Sequence, residues 1–142
     1  MNQEKLQKLR NEKIRITGLL TAILGILGRA KKPMTITDLT GALKKKSFLP
    51  NKTTLYRQME KLTSVGLLQE NIFSDSLKRY CLTEEGIHHH HFYCKKCGRA
   101  ESLPPSLCGE ITAVENYFKR KKFKIFRHNL EIEGLCPNCH NV

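Results

Sequence analysis

The feature that most constrains this 142-residue chain is a pair of Cys-x-x-Cys motifs in its C-terminal half. Cys94 and Cys97 form the first pair, and Cys136 and Cys139 form the second, after 38 intervening residues. The two-residue spacing lets both sulfurs of a pair bind one ion at about 2.3 Å, and four thiolates complete a tetrahedral site. The fold must then bring the two pairs together, and we predict that they hold a structural zinc ion.

Two other uses of the same cysteines stay open. Cys136-Pro-Asn-Cys139 resembles the motif of thiol-disulfide redox proteins, and the four cysteines could also form two disulfides. The turn residues Gly98 and Pro137 adjoin the pairs, as is typical of zinc knuckles. The zinc clamp is therefore the favoured interpretation, and a redox protein is the alternative.

Positive charge is concentrated in the first half of the chain. Residues 1–66 hold 14 lysines and arginines against 4 acidic residues, whereas residues 67–142 hold 11 against 9. Such a local excess is the electrostatic footprint of a protein that meets a polyanion, most commonly nucleic acid. A basic but otherwise inert surface is the plain alternative.

The N-terminal half predicts helices at 3–13, at 16–29, from Thr37-Asp38 to about Lys44-Lys45-Lys46, and at 52–64. Strands are expected at 67–70 and 78–83, around a polar loop. Helices followed by a hairpin are typical of a winged helix-turn-helix, in which the helix before the wing enters the major groove. We therefore predict a winged-helix DNA-binding domain over residues 1–83.

The last predicted helix of that domain places several polar side chains off its apolar stripe. The residues that could face double-stranded DNA are Thr53, Thr54, Tyr56, Arg57 and Lys61. An ordinary solvated helix face is the alternative interpretation of these residues.

Residues 84–142 predict a second, small α/β domain. Strands are expected at 91–94 and 99–103, a helix from Pro104-Pro105 to about Lys121 with Ile111, Val114 and Phe118 inward, and a strand over 123–132. The whole chain is thus predicted to be an α+β protein whose second domain carries the four-cysteine site.

The apolar run from Ile14 to Leu27 raises the question of a signal peptide or a membrane span. Arg15 and recurring small residues such as Gly18, Gly25 and Gly28 indicate an amphipathic helix, and the run is too short and broken to span a membrane. We expect a cytoplasmic protein without a membrane partner, in which six cysteines indicate metal or redox chemistry.

Four consecutive histidines lie just before the first cysteine pair. In an extended segment alternate side chains point to opposite faces, so His89 and His91 would line one metal site and His88 and His90 another. The candidates that could complete these sites are Cys81, Glu70, Glu101, Glu110 and His128. A solvated polar strand is the alternative.

Enzyme signatures are missing from the sequence. The His-x-Glu and Pro-Cys-x-x-Cys elements of zinc deaminases are absent, as are a Gly-rich phosphate loop and a Gly-x-Ser-x-Gly elbow. We therefore expect neither catalysis nor a small-molecule substrate.

Taken together, the motifs resemble the ferric uptake regulator (Fur) superfamily over nearly the whole chain. The matching segments are Thr54-Leu55-Tyr56-Arg57, Gly66-Leu67, the histidine run and the two cysteine pairs. The resemblance implies a homodimeric repressor with a C-terminal dimerisation domain, a structural zinc and a regulatory metal site at the hinge. It also implies that Tyr56 and Arg57 contact bases.

The residue after Arg79-Tyr80 bears on the branch of the superfamily. Iron and peroxide sensors usually carry a carboxylate there, whereas this chain has Cys81, as in the zinc uptake regulators. A thiolate favours zinc over iron or manganese. A buried side chain of the wing, without a metal, is the alternative interpretation of Cys81. The resemblance therefore implies a zinc-responsive repressor of metal uptake genes, with Fe²⁺, Mn²⁺ or peroxide as alternative signals.

The same resemblance distributes the candidate ligands over two sites. The regulatory set is Cys81, His89 and His91 with Glu70 or Glu101, and the second set is His88, His90, Glu110 and His128. The chain departs from the family at Thr17-Gly18-Leu19-Leu20, where Thr-Pro-x-Arg is common. Its 82–87 segment is longer than in related zinc sensors, and Cys108 matches no motif.

Overall fold

A computed structural model describes residues 3–30, 32–83, 90–104, 106, 109–125, 128 and 130–140. The chain divides into two compact units, Met1–Glu85 and Gly86–Val142. In the described residues, no helix is both long and apolar enough to cross a lipid bilayer. The elements of the first unit are α1 (Gln3–Asn11), α2 (Gly18–Leu27), β1 (Met34–Thr35), α3 (Ile36–Lys44), α4 (Lys52–Ser64), β2 (Leu68–Ile72) and β3 (Lys78–Leu82).

Side-chain caps set the starts of the helices in the first unit. Asn51 caps α4, because its side-chain oxygen accepts a hydrogen bond from the Thr54 amide at 2.7 Å. Thr35 and Asp38 form a capping box at α3, with each side chain bonded to the backbone amide of the other. The helix therefore begins slightly earlier than predicted, since Asp38 is the third residue of the first turn and not the cap.

The first unit encloses a continuous apolar core. The predicted inward stripe of α4, Leu55, Met59 and Leu62, has no exposed surface and packs with side chains of α2 and α3. Gly66, with φ of 68°, ends α4 in a left-handed turn in which the Leu67 amide bonds to the Leu62 carbonyl at 2.9 Å. The spacing of apolar residues in the sequence thus predicted the buried face of α4 correctly. Ile16, expected on the apolar stripe of a helix over 16–29, is exposed, because α2 is capped by Thr17 and begins at Gly18.

The first unit also contains a three-stranded sheet, in which β1, from before α3, joins the β2–β3 hairpin that follows α4; the strand order is β1-β3-β2 and the pairing is antiparallel. We refer to this sheet as the wing sheet. The sequence predicted the β2–β3 hairpin but not β1, whose two residues are too few to show a pattern. At the hairpin end, Arg79 is buried, binds Asp75 at 2.6 Å and lies 5.3 Å from the centre of the Phe73 ring. Helices plus this sheet make the first unit a winged helix.

The second unit contains a three-stranded mixed sheet and helices. Its elements are β4 (His91–Cys94), β5 (Ala100–Ser102), α5 (Gly109–Arg120), β6 (Glu131–Gly134) and α6 (Pro137–His140). The strand order is β5-β4-β6, with β5 antiparallel and β6 parallel to the central β4. This matches the predicted order of strand, strand, helix, strand.

The last strand is shorter than the sequence predicted. A strand was expected from Phe123 to Ile132, but residues 123–125 are not in a strand and β6 begins at Glu131. Glu131 pairs with His91, the first residue of β4. The alternating pattern in the sequence starts earlier than Glu131. Strand β4 begins at His91, however, so its pairing with β6 begins at Glu131.

Helix α5 exposes much of the stripe that was predicted to face inward. Ile111 is half-buried, but Val114 is 56% exposed and Phe118 is 38% exposed within this chain. Other large apolar side chains of the second unit are also exposed: Tyr117, Phe123, Ile132 and Leu135. We call these six exposed side chains the apolar surface of the second unit.

Candidate metal centre and nucleic-acid interface

Parallel pairing of β4 and β6 brings the two cysteine pairs to one place. Cys94 is the last residue of β4 and lies level with Gly134 of β6, so Cys136 follows just beyond the paired strands. Gly98, with φ of 71°, closes the turn after Cys97, and its amide bonds to the Cys94 carbonyl at 2.9 Å. Cys139 is carried by α6, the short helix that begins at Pro137.

The four sulfur atoms have the spacing of a tetrahedral thiolate site. All lie within 4.8 Å of one another, and the Cys97 and Cys136 sulfurs are 3.7 Å apart. Four sulfurs placed at the usual zinc–sulfur distance from one ion would be separated by about 3.8 Å. A separation of 3.7 Å is far longer than a disulfide bond. The donor set and its geometry therefore fit zinc.

The environment of the cluster lowers the pKa of one thiol and raises the pKa of another. Backbone amides of Cys97 and Cys136 lower the pKa of Cys94 to about 6, and the Cys136 amide lies 3.3 Å from the Cys94 sulfur. Burial and the neighbouring thiols raise the pKa of Cys139 to about 12. The backbone thus already stabilises a thiolate at Cys94, which is the form that binds metal.

The structure brings together two of the four residues that were predicted to form the second metal site. The rings of His90 and His128 stack with 5.3 Å between their centres, and His90 Nδ1 accepts a hydrogen bond from the Leu130 amide at 3.2 Å. Glu115 Oε1 lies 2.7 Å from His128 Nδ1, and this hydrogen bond, with Lys119, lowers the pKa of Glu115. His88 and the side chain of Glu110 lie outside the described residues.

Glu115 was missed by the sequence analysis. It lies four residues after Ile111 on α5, and both side chains are half-buried. An acidic residue on the inner stripe of an amphipathic helix is the signal that could have found it.

Of the predicted regulatory ligands in the second unit, His91 is buried and Glu101 is exposed. His91 pairs with Ser102 across β4 and β5, and its Nδ1 lies 3.4 Å from the Ser102 hydroxyl. Glu101 pairs with Phe92, so its side chain points to the opposite face, where it binds Arg99 at 2.9 Å. The structure therefore does not bring Glu101 together with His91, and His89 lies outside the described residues.

In the first unit the wing sheet likewise separates Glu70 from Cys81. Glu70 pairs with Tyr80 and binds Lys78 at 3.0 Å, whereas Cys81 pairs with Gln69 and projects from the other face. Burial raises the pKa of the Cys81 thiol to about 11, and a hydrogen bond from Asn71 acts in the opposite direction. The two predicted ligands therefore face opposite sides of the sheet.

Helix α4 presents the side chains that were predicted to face DNA. Thr53, Tyr56, Arg57 and Lys61 are exposed and Thr54 is half-buried, on the side opposite the buried Leu55, Met59 and Leu62. Tyr56 keeps 44% of its surface exposed although it is a large aromatic residue. This face combines an aromatic ring, two cations and hydroxyl groups, which suits contact with bases and phosphates.

Comparison with known proteins decides the family. The model of the ferric uptake regulator family matches residues 11–133. The chain belongs to the ferric uptake regulator family. Membership makes it a metal-responsive transcriptional regulator and not an enzyme.

A relative of this Fur-family chain agrees with the assignment, and solved structures of other proteins share its fold. The ferric uptake regulation protein of Bacillus subtilis is 31% identical over 118 residues, which cover 81% of this chain and 77% of the relative. The Helicobacter pylori ferric uptake regulator shares the fold with a TM-score of 0.75 at 18% identity, covering 97% of this chain and 90% of that one. A zinc uptake regulator, solved with zinc and DNA, gives a TM-score of 0.65 at 18% identity over 97% and 91% of the two chains.

Proposed function

We propose that this Fur-family chain is a zinc-responsive repressor that binds operator DNA as a metal-loaded homodimer and controls metal uptake genes. The observation that carries the choice of metal is Cys81, a half-buried thiol in β3 of the wing sheet. A sulfur ligand favours zinc over the harder ions iron and manganese. The regulatory set consists of Cys81, His89 and His91.

The four-cysteine cluster has a separate role in the proposal. Cys94, Cys97, Cys136 and Cys139 hold a zinc ion that stabilises the second unit and leaves no open coordination position. Thiolate ligands require a reducing compartment, and we place the protein in the cytoplasm.

His90 and His128 form the core of a second metal site in this proposal. Glu115 is a carboxylate that contacts the His128 ring, so we add it to the set. His88 and Glu110 remain ligands predicted from the sequence. Glu70 and Glu101 are omitted from the regulatory set because the sheets direct them away from Cys81 and His91.

DNA binding is assigned to the exposed face of α4. Arg57 and Tyr56 would read base edges, and Thr53, Thr54 and Lys61 would contact neighbouring groups. The net charge of +12 favours approach to the phosphate backbone. The solved zinc uptake regulator, which has the same fold, is bound to zinc and DNA.

Dimerisation is assigned to the second unit. Its apolar surface exposes Val114, Tyr117, Phe118 and Phe123 along and after α5, and Ile132 and Leu135 near β6. The Tyr117, Phe118 and Phe123 rings lie against one another, and exposed apolar side chains of this kind are typical of a protein interface. A second copy of the chain would bury this surface and supply a second α4 for the other half of an operator.

Metal controls DNA binding if it binds more tightly to the DNA-binding conformation than to the alternatives. The affinity difference then shifts the population toward the repressing state, and DNA strengthens metal binding by the same factor.

The proposal is tested by operator binding measured in buffered Zn²⁺, Fe²⁺ and Mn²⁺. We expect Zn²⁺ to promote binding at the lowest free concentration, and Cys81→Ser to remove most of the Zn²⁺ dependence while the four-cysteine site stays filled. Promotion by Fe²⁺ or Mn²⁺ alone would make the chain a sensor of that metal. Binding that is equally tight with and without added metal would contradict sensing altogether.

A further inference from the structure

We propose that Asn71 is a positioning residue for Cys81, holding its sulfur in place for metal binding. This inference rests on the ligand role of Cys81 proposed above. Asn71 lies in β2, and the register pairs Gln69 with Cys81 and Asn71 with Arg79. Because side chains alternate along each strand, all four project from the same face of the wing sheet.

Hydrogen bonds connect the two amides of this face to the sulfur. Asn71 Nδ2 lies 3.7 Å from Cys81 Sγ, and Gln69 Nε2 donates to Asn71 Oδ1 at 3.0 Å. Because Gln69 supplies a donor to the carbonyl oxygen, the nitrogen of the Asn71 amide is the group that faces the sulfur. The chain of hydrogen bonds from Gln69 to Asn71 to Cys81 therefore fixes the orientation of the Asn71 amide.

The burial of Asn71 indicates that its hydrogen bonds matter. Asn71 is only 1% exposed, and burying an amide is costly unless its polar atoms are hydrogen-bonded. A leucine of similar volume would fill the same space without that cost. The contact with Cys81 gives the Asn71 amide a hydrogen-bond partner, since the sulfur can accept an N–H donor both as a thiol and as a metal-bound thiolate.

The consequence for function is a preorganised ligand. A sulfur already held in one orientation loses less freedom when the metal binds. Residues that orient a metal ligand commonly change metal affinity by roughly 10- to 100-fold when they are replaced. Asn71 would therefore raise the metal sensitivity of the regulator without touching the ion.

The test uses Co²⁺ as a spectroscopic substitute for zinc. The full-length protein, with zinc in the four-cysteine site, is titrated with Co²⁺, and the thiolate-to-cobalt charge-transfer band reports ligation by Cys81. The variants are Asn71→Leu, which removes the donor at similar volume, and Cys81→Ser, which removes the ligand. Asn51→Ala is the matched control, because it weakens the first unit at the α4 cap instead.

We expect Asn71→Leu to weaken Co²⁺ binding by roughly 10- to 100-fold. The charge-transfer band should also move to longer wavelength, because a sulfur without the N–H donor gives up electrons more easily. A residue that only stabilised the fold would not shift this band. Asn51→Ala should change neither the affinity nor the band.

The outcomes separate the two proposals. An unchanged affinity and band in Asn71→Leu, with the band lost in Cys81→Ser, would overturn the role of Asn71 and leave Cys81 as a ligand. A band that survives in Cys81→Ser would overturn the ligand role, and the role of Asn71 with it. If Asn71→Leu does not fold, Asn71→Ala is judged by the same two measurements.

Discussion

The two units of this chain obtain their stability in different ways. The buried apolar cluster, from Leu9 through Leu62 to Tyr80, lies entirely in the first unit. In the second unit, the described buried residues are His90, His91, Tyr93, Cys94, Ala100 and Cys136. That unit leaves Phe118, Phe123 and the rest of its apolar surface exposed.

This difference shows why the four-cysteine site belongs to the second unit. A unit with few buried apolar side chains gains little from the hydrophobic effect and needs a metal or a partner to fold. The second unit has both a thiolate cluster and an exposed apolar surface. The first unit has its own apolar core, and its exposed α4 face carries the DNA contacts proposed above.

Removal of the structural metal should cause the largest loss of stability, and this loss should be confined to the second unit. Structural zinc sites contribute about 10–16 kcal/mol to small zinc domains, so Cys94→Ser or a strong chelator should unfold the second unit. Hydrogen exchange measured peptide by peptide should show lost protection over 90–140 and retained protection over α4. Cys81→Ser, outside the cluster, is the matched control, and a protected, zinc-free Cys94→Ser protein would contradict the comparison.

A cavity in the first unit should have the next largest effect. Leu55 is fully buried, so Leu55→Ala should cost about 2–5 kcal/mol of unfolding free energy in that unit. Denaturant unfolding of the zinc-loaded protein measures this loss. Thr53→Ala on the exposed face should change stability by less than about 0.5 kcal/mol. Equal losses in the two variants would show that the core is not where we place it.

The apolar surface of the second unit should matter for association more than for folding. Phe118→Ala should weaken the dimer by about 2 kcal/mol if Phe118 lies near the centre of the interface. Sedimentation over a range of protein concentrations measures the shift toward monomer. Asn116→Ala, on the opposite side of α5, should have no effect. A monomeric wild-type protein at high concentration would exclude this use of the surface.

Operator binding should depend on a cation of the first unit and not on one of the second. Arg57→Ala should cost roughly 1–3 kcal/mol on the specific operator if the side chain reads a base, and should change the preferred sequence. Arg99→Ala, in the second unit, should leave operator binding unchanged. An equal loss on every DNA sequence would make Arg57 a phosphate contact.

The smallest effect is expected at the α4 cap. Removing the hydrogen bond from the Thr54 amide to Asn51 with Asn51→Ala should cost about 1 kcal/mol in the first unit. The melting temperature of that unit should fall slightly, with no change in protection around the cysteine cluster. A loss of protection in both units would show that they do not unfold separately.

The sequence by itself determined the features that depend on local spacing. The period of Leu55, Met59 and Leu62 predicted the buried face of α4, and the Cys-x-x-Cys spacing predicted the cluster that the structure shows. Such patterns are fixed by helix geometry and by the reach of a short turn, so they can be recognised without knowing the rest of the fold.

The tertiary structure decided which of the candidate carboxylates lie beside the other predicted ligands. Glu70 and Glu101 are suitable ligands by type, but strand register directs them away from Cys81 and His91. A shift of one residue in register moves a side chain to the other face, and register depends on a partner strand that can be distant in sequence. The contacts of Asn71 with Cys81 and of Glu115 with His128 likewise join residues 10 and 13 positions apart.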